Sequence, residues 1–371
     1  MPVDISLARK VLADVYKGDV AYLMSDVVNV RERAIGTGII AFDYGLLGIG
    51  GLPRGHFIEI SGPEKTGKTT LIIHAIAACQ AAGLVPCVID PKGAVTEDVA
   101  RAVRIGVDPS QVLIVPIDSS EDALQRTRTA LRELRKKDIG VAFFWDDLGL
   151  TPSETEITPR VDKKSGKDIV KVGAKAKSVW QFCRALAGAC YREGAVMVVT
   201  NQLTAVITSG FAAKYAEKET TAGGGGLRYA ARIRVDLRVV SKIKAGKITR
   251  GQVVLARTTA NAFFAPCRSV RLHLDFQNGY DSARSTILSG LACEVLGKNP
   301  KTKTYTIKGE KGSLTAMGAP DPAFLFALEK KMWPWIEEGK GMLVPEEPSA
   351  EMCEEEQEED LFSESVGDDF E

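Results

Sequence analysis

The sequence predicts an α/β protein with a mainly parallel central sheet, and three observations carry that expectation. Gly62-Pro63-Glu64-Lys65-Thr66-Gly67-Lys68-Thr69-Thr70 satisfies the phosphate-loop pattern G-x-x-x-x-G-K-[ST], between an apolar strand at 57–61 and a helical run at 71–78. Further apolar runs at 85–90, 141–145 and 195–200 alternate with helical patterns at 96–104, 120–137 and 175–192. Two of those runs end in polar pairs suited to a nucleotide edge, Asp146-Asp147 and Asn201-Gln202.

The phosphate loop has a direct physical reading. Its glycines let the backbone turn sharply, so that several N–H groups converge on one anion at a helix N-terminus. Lys68 is placed to reach β- and γ-phosphates, and the Thr69 hydroxyl to ligate Mg²⁺, which implies ATP and Mg²⁺ as cofactors. A chance glycine turn before a helix is the competing reading, and the strand and helix on either side weigh against it. An apolar strand ending in Asp about 80 residues later supplies the second carboxylate of such a site. Asp146 is assigned to organise Mg²⁺, with Asp147 as its neighbour.

Bulk properties exclude several classes. A chain of 371 residues with 45% hydrophobic content suits one large domain plus appendages. No apolar run approaches the roughly 20 residues that a membrane span needs. The start, Met-Pro-Val-Asp-Ile-Ser, lacks a basic-then-apolar secretory pattern. Seven cysteines are scattered, and Cys183 and Cys190 share the spacing of core positions on one helix face, so a reduced cytoplasmic interior is expected. His56, His74 and His273 are too far apart in sequence to suggest a metal site.

The zero net charge conceals an asymmetry. Residues 351–371 hold eleven acidic groups and no Lys or Arg, leaving 48 basic against 37 acidic residues, a net of +11, in 1–350. A basic body suggests a polyanion-binding surface, and the acidic tail from 346 onward a segment that competes for it or a solubilising disordered end.

Along the chain, 5–17 read as a helix with an apolar stripe of Ile5, Leu7, Ala8, Val11, Leu12, Val15 and Tyr16, followed by a short extended piece at 20–24. Such an arm (1–34) packs on its own core or on a neighbour. From Thr158 to Lys177 seven basic residues, Arg160, Lys163, Lys164, Lys167, Lys171, Lys175 and Lys177, face only Asp162 and Asp168, in a loop broken by Pro159, Gly166 and Gly173. These lysines suit phosphate contacts without sequence readout. Residues 204–226 mix Phe211, Lys214, Tyr215 and Lys218 with Gly223-Gly224-Gly225-Gly226, which suits single-stranded nucleic acid and close backbone approach. The alternating run 232–238 reads as a strand near the sheet edge, and 242–270 as a hairpin turning near Lys247. A small α/β appendage is expected at 272–345, with helices at 283–296 and 323–338, a strand at 303–308, and Trp333 and Trp335 in its core.

Several spaced segments carry a resemblance. Thr37-Gly38 with Asp43, then Gly50-Gly51-Leu52-Pro53 with Gly55, then Glu59-Ile60 leading into Gly62-Pro63-Glu64 and Gly67-Lys68-Thr69-Thr70-Leu71, are similar to the RecA-type recombinase family. So are Ile105-Gly106-Val107-Asp108, Val199-Thr200-Asn201-Gln202-Leu203 and Thr220-Thr221-Ala222-Gly223-Gly224. The likeness covers roughly 5–340, is dense to about 238, and suggests a phage-borne or otherwise remote member in a bacterial cytoplasm. It implies a RecA-like ATPase core at 35–271, with 156–177 and 204–226 as first and second DNA-binding loops. It also implies a DNA-dependent ATPase that binds single-stranded and homologous duplex DNA and assembles into a helical filament, with single-strand-binding protein or loaders as further partners and no membrane. Gln202 matches the γ-phosphate sensor. Asp98 and Arg101 fall where the family contacts adenine, and an ordinary surface arginine is the plainer reading of the latter.

Two departures touch catalysis. The family's water-activating glutamate falls at Lys92, with Glu64 and Asp90 the nearest substitutes by sequence, so slow hydrolysis is expected. The family's lysine pair, which reaches a neighbour's ATP, is replaced by Ala260-Asn261-Ala262, with Arg257 or Arg268 as stand-ins. These departures keep open a weakly or non-hydrolysing ATP-bound DNA filament scaffold. A related helicase or regulatory P-loop ATPase would share the same core.

Overall fold

The computed structural model describes residues 5–15, 24, 29–158, 160–161, 168–169, 174–205, 219–221, 225–299, 304–307, 313–315, 328 and 331–332. In chain order its elements begin α1 (Ile5–Val15), β1 (Phe57–Gly62), α2 (Lys68–Ala81), β2 (Val85–Ile89), α3 (Val99–Ile105), β3 (Leu113–Ile114), α4 (Ser120–Arg135) and β4 (Val141–Trp145). They continue with α5 (Glu154–Ile157), β5 (Arg160–Val161), β6 (Asp168–Ile169), α6 (Ala174–Glu193), β7 (Val196–Ala205), β8 (Glu219–Thr221), α7 (Gly225–Ala230), β9 (Ala231–Ala245) and β10 (Ile248–Asn261). The last are β11 (Ser269–Asp275), β12 (Gly279–Asp281), α8 (Ser282–Ala292), β13 (Leu296–Asn299), β14 (Thr304–Ile307) and β15 (Ser313–Thr315).

The central sheet runs β12-β11-β10-β9-β1-β7-β4-β2-β3, with β8 attached to β7. Pairings from β9 through β1, β7, β4 and β2 to β3 are parallel, and β9 to β12 are joined antiparallel. The central parallel strands read as continuous apolar runs because both their faces are covered. On one face Ile58, Ile60, Val88, Phe144, Val198 and Ile233 pack with Leu71, Ile72 and Ile76 of α2. On the other, Phe57, Phe143, Trp145 and Met197 pack with Leu131 of α4 and with Phe182, Cys183 and Cys190 of α6. The two cysteines are therefore core residues, as their spacing predicts. Parallel strands sharing one direction bring the C-terminal ends of β1, β4 and β7 to one edge, where open α/β sheets bind ligands.

The structure corrects several expectations. β9 is not near the edge but sits between β1 and β10. Its alternation persists because side chains such as Arg234 remain partly exposed while Ile233 and Val235 are buried. Arg234 pairs with the fully buried Glu59 of β1, which also accepts from Asn201 Nδ2 at 3.1 Å, so the buried carboxylate is compensated on both oxygens. β7 does not stop at Asn201-Gln202 but runs to Ala205, because β8 pairs with Leu203–Ala205. Gly225 and Gly226 open α7 rather than extending a loop. A Cβ at Gly226 would meet Trp180 Cα at 2.5 Å, so this glycine serves the α6–α7 contact. The hairpin β9–β10 turns at Gly246-Lys247 as expected.

Beyond the hairpin, β11 carries the sheet across residue 271, and β12 keeps the chain in it to Asp281. A third, smaller cluster of Ile287, Leu296, Tyr305, Ile307, Leu328 and Met332 follows. Trp333, Trp335 and the acidic tail lie outside the described residues. Among the described residues, the apolar stripe of α1 does not pack on the core: Leu7 and Val15 remain 60% and 64% exposed.

Asp43, the aspartate of the Thr37-Gly38 segment, is fully buried and accepts from Thr37 Oγ1 at 2.8 Å and from the Gly38 amide at 3.2 Å. Burial outweighs those bonds and raises its carboxyl from 3.8 to about 7. The folded state thus holds a proton that the unfolded chain releases near pH 4, so this contribution is complete below pH 4 and is lost as pH rises towards 7. Its span is on the order of 4 kcal/mol. Urea unfolding of wild type at pH 5 and pH 7.5 is expected to show lower stability at the higher pH, with a clearly smaller difference in Asp43→Asn. Equal pH slopes in the two proteins would refute this account.

Candidate functional site

The strand-to-helix turn from β1 to α2 forms the phosphate loop. Lys65 and Gly67 both adopt positive φ, 61° and 92°. A Cβ at Gly67 would come within 2.4 Å of the Tyr280 hydroxyl, so the loop rests directly on β12 and only glycine fits there. Tyr280 Oη donates to the carbonyl of Gly67 at 3.3 Å, and the Tyr280 amide donates to His74 Nε2 at 2.9 Å. Burial pushes His74 down to about 4, so its imidazole is neutral and accepts. Gln252 Nε2 donates to the Lys65 carbonyl at 2.8 Å. Sequence reasoning missed Tyr280, His74 and Gln252 as supports, because their approach to the loop depends on sheet pairings more than 170 residues apart.

Lys68 is buried and its ammonium donates to the carbonyls of Gly62 at 2.8 Å and Pro63 at 2.6 Å. Desolvation lowers its pKa, opposed by the charges of Asp147 and Asp146. Thr69 Oγ1 donates to Asp146 Oδ2 at 2.7 Å, and Thr200 Oγ1 donates to the other oxygen. Burial raises the Asp146 carboxyl above its ordinary value, against the two hydroxyl bonds. The sequence-assigned metal pair is therefore brought together. A hydroxyl and a carboxylate are a hard oxygen set that fits Mg²⁺ completed by phosphate and water. Gly62 and Gln202 are register partners across β1 and β7, which places Gln202 beside the start of the loop. Arg101 pairs with Asp98 at 3.2 Å and donates to Thr70 Oγ1 at 3.1 Å, so the assigned base-contact residues also lie at the mouth of α2.

The structure rejects two substitutes. The Asp90 carboxylate is consumed by the amides of Ala94, Val95 and Thr96 and by Thr96 Oγ1, and so organises its own loop rather than activating water. Arg268 is buried, with its guanidinium 4.7 Å from the Phe264 ring centroid, so it packs within its own subunit rather than standing out from the surface; burial pushes its pKa down to about 10. Glu64 is exposed. Lys92 instead pairs with Asp147 at 3.3 Å.

Of the proposed DNA-contact residues, Arg160 lies in a two-residue strand, β5, paired with β6. Lys163, Lys164, Lys167, Lys171, Phe211, Lys214, Gly223 and Gly224 lie outside the described residues. Among the described residues, no helix is long and apolar enough to cross a membrane, and no cluster of three His, Cys, Asp or Glu forms a metal site.

A phosphate loop, a hydroxyl–carboxylate pair and a polar strand residue gathered at the C-terminal edge of a parallel sheet define a P-loop nucleotide-binding protein. Comparison makes the family specific. The RecA N-terminal domain matches residues 5–281. The RecA protein of Thermotoga neapolitana is 32% identical over 310 residues, covering 83% of this chain and 84% of that protein. That of Helicobacter pylori strain G27 is 30% identical over 352 residues, covering 94% and 97%. That of Chloroherpeton thalassium is 32% identical over 263 residues, covering 71% and 69%. The chain belongs to the RecA family.

Proposed function

We propose that the protein is an ATP-dependent, single-stranded DNA-binding recombinase acting in DNA recombination and repair. In this reading it forms nucleoprotein filaments for homologous pairing and strand exchange. One observation carries the reading: Gln202 is the register partner of Gly62 at the phosphate loop and lies on β7, which runs within three residues into the β7–β8 hairpin. Nucleotide state and the 204–226 segment thus share one strand, which is what nucleotide-gated DNA binding requires. ATP would be held by Gly62 to Thr70 with Mg²⁺ on Thr69 and Asp146, and the base near Asp98 and Arg101. The basic segment 156–177 and the segment 204–226 would hold DNA through phosphate contacts and stacking, with the acidic tail competing for the same surface.

Self-association is supported by the exposed stripe of α1 together with Val103, Leu113 and Ile114, which leave the β3 edge of the sheet apolar and uncovered. A second copy's α1 is the natural cover. A second reading, a weakly or non-hydrolysing filament scaffold, is favoured by one observation, the Lys92–Asp147 ion pair where the resemblance places a catalytic carboxylate.

Anisotropy of a fluorescent single-stranded oligonucleotide, with ATP, with ADP and without nucleotide, tests the gated reading. Binding is expected to be at least tenfold tighter with ATP. Binding indifferent to nucleotide would reject the recombinase mechanism.

A further inference from the structure

We infer that Lys92 is a second phosphate-binding lysine acting within its own subunit, and that Asp147 is the seat holding Lys92 and Gln202 until a γ-phosphate displaces it. The inference rests on the ATP reading above. Asp147 is fully buried, and its Oδ1 is fixed by the Leu150 amide at 2.9 Å. Its Oδ2 takes two donors from separate elements, Gln202 Nε2 at 2.9 Å from β7 and Lys92 Nζ at 3.3 Å from the segment after β2. The adjacent carboxylate, Asp146, holds Thr69 of the phosphate loop. The Lys68 ammonium feels the charges of Asp147, Asp146, Lys92 and Glu64, which puts Lys92 within electrostatic range of the loop lysine.

Two ammonium groups beside one anion site repel each other. Here two buried carboxylates balance them, and a triphosphate would replace that balance. A γ-phosphate offers three oxygens and more charge than one shared carboxylate oxygen, so it outcompetes Asp147 for both donors. The two partners differ in freedom. The Asp147 side chain is fully buried, whereas Lys92 is 34% exposed on a flexible four-carbon stem with three rotatable donors. Lys92 therefore moves and Asp147 stays. ADP lacks the group that would draw Lys92 and Gln202 away together, so the pair reads the γ-phosphate specifically. A purely structural ion pair would leave nucleotide selectivity untouched.

The test is the ratio of dissociation constants for ADP and a non-hydrolysable ATP analogue, measured by titration calorimetry on the full chain with Mg²⁺, with melting curves to confirm folding. Lys92→Ala is expected to lower the preference for the triphosphate about tenfold, the loss of one charge-assisted bond to phosphate. Asp147→Asn, which releases the ammonium from its ion pair, is expected to raise it several-fold, and the gain is expected to shrink when Lys92→Ala is also present. A wild-type ratio in Lys92→Ala overturns the inference. Should Asp147→Asn fail to fold, Lys92→Ala decides alone, since its side chain reaches solvent. Triphosphate binding that Lys68→Ala removes but whose ratio Lys92→Ala leaves intact refutes only this inference. Absence of triphosphate binding in wild type refutes the ATP reading itself.

Discussion

Lys68→Ala is expected to abolish ATP binding and, with it, the ATP-dependent component of single-stranded DNA binding. The Lys68 ammonium is buried among the loop carbonyls of Gly62 and Pro63, in a setting whose desolvation it tolerates because Asp146 and Asp147 lie near. When a triphosphate arrives, those neutral carbonyl partners are exchanged for phosphate oxygens, giving charge-assisted bonds worth roughly 1.5–3 kcal/mol each. Losing two such bonds weakens binding by a hundredfold or more. The DNA effect follows through Gln202: without nucleotide at Gly62, nothing draws Gln202 from Asp147, and the strand that leads on to β8 keeps its resting contact. Calorimetry and oligonucleotide anisotropy on the same preparation separate the two steps. Retained ATP-dependent DNA binding in this variant would break the link between loop and hairpin. The substitution leaves two carboxylates less well compensated, so a nucleotide-free melting curve is the control.

The parts of this site that were legible in the sequence are those whose meaning is local. Gly62 to Thr70 declares itself because turn, helix start and lysine are contiguous, and Asp146 because an apolar strand delivers it. The partnership of Thr69 with Asp146 follows once both strands are parallel. What the sequence concealed depends on register and on distant pairings. Arg232 to Arg238 alternates like an edge strand, yet β9 is interior, since its partly exposed arginines find partners such as Glu59. Gly226 reads as loop freedom but answers to the backbone of Trp180. Asp90 looked available as a base until its four hydrogen bonds were placed. Lys92 and Asp147 are 55 residues apart; the first reads alone as a departure and the second only as the neighbour of Asp146. Only parallel β2 and β4, with Ile89 beside Trp145, bring the two into contact and turn that departure into one exchange of charge.

That exchange sets up the second large effect. Wild-type protein is expected to release phosphate slowly even with DNA bound, because among the described residues no carboxylate stands where the resemblance places the water-activating group. Asp90 is committed to its loop, Asp147 is fully buried with Oδ1 held by the Leu150 amide even when Lys92 and Gln202 turn to a phosphate, and Lys92 stands where the resemblance places the general base. Lys92→Glu alone would set a second carboxylate against the buried Asp147, and two such groups a few ångströms apart cannot both ionise. One would hold a proton, and the gain in turnover would be small. Lys92→Glu combined with Asp147→Asn removes that conflict. The amide keeps its one oxygen for the Leu150 amide, its NH2 donates to the Gln202 side-chain oxygen once that amide turns over, and the new carboxylate is left ionised. A well-placed general base contributes about 10²- to 10⁴-fold, so the double variant is expected to hydrolyse ATP at least 10²-fold faster than wild type at saturating nucleotide. Its half-saturating ATP concentration is expected to rise, since Lys92 no longer binds phosphate. Phosphate release with single-stranded DNA, measured for wild type, both single variants and the pair, checks all four values. A double variant that binds ATP but turns over no faster would show that Lys92 does not stand in the place of the missing base. The scaffold reading would then rest on the absent lysine pair at Ala260-Asn261-Ala262 alone.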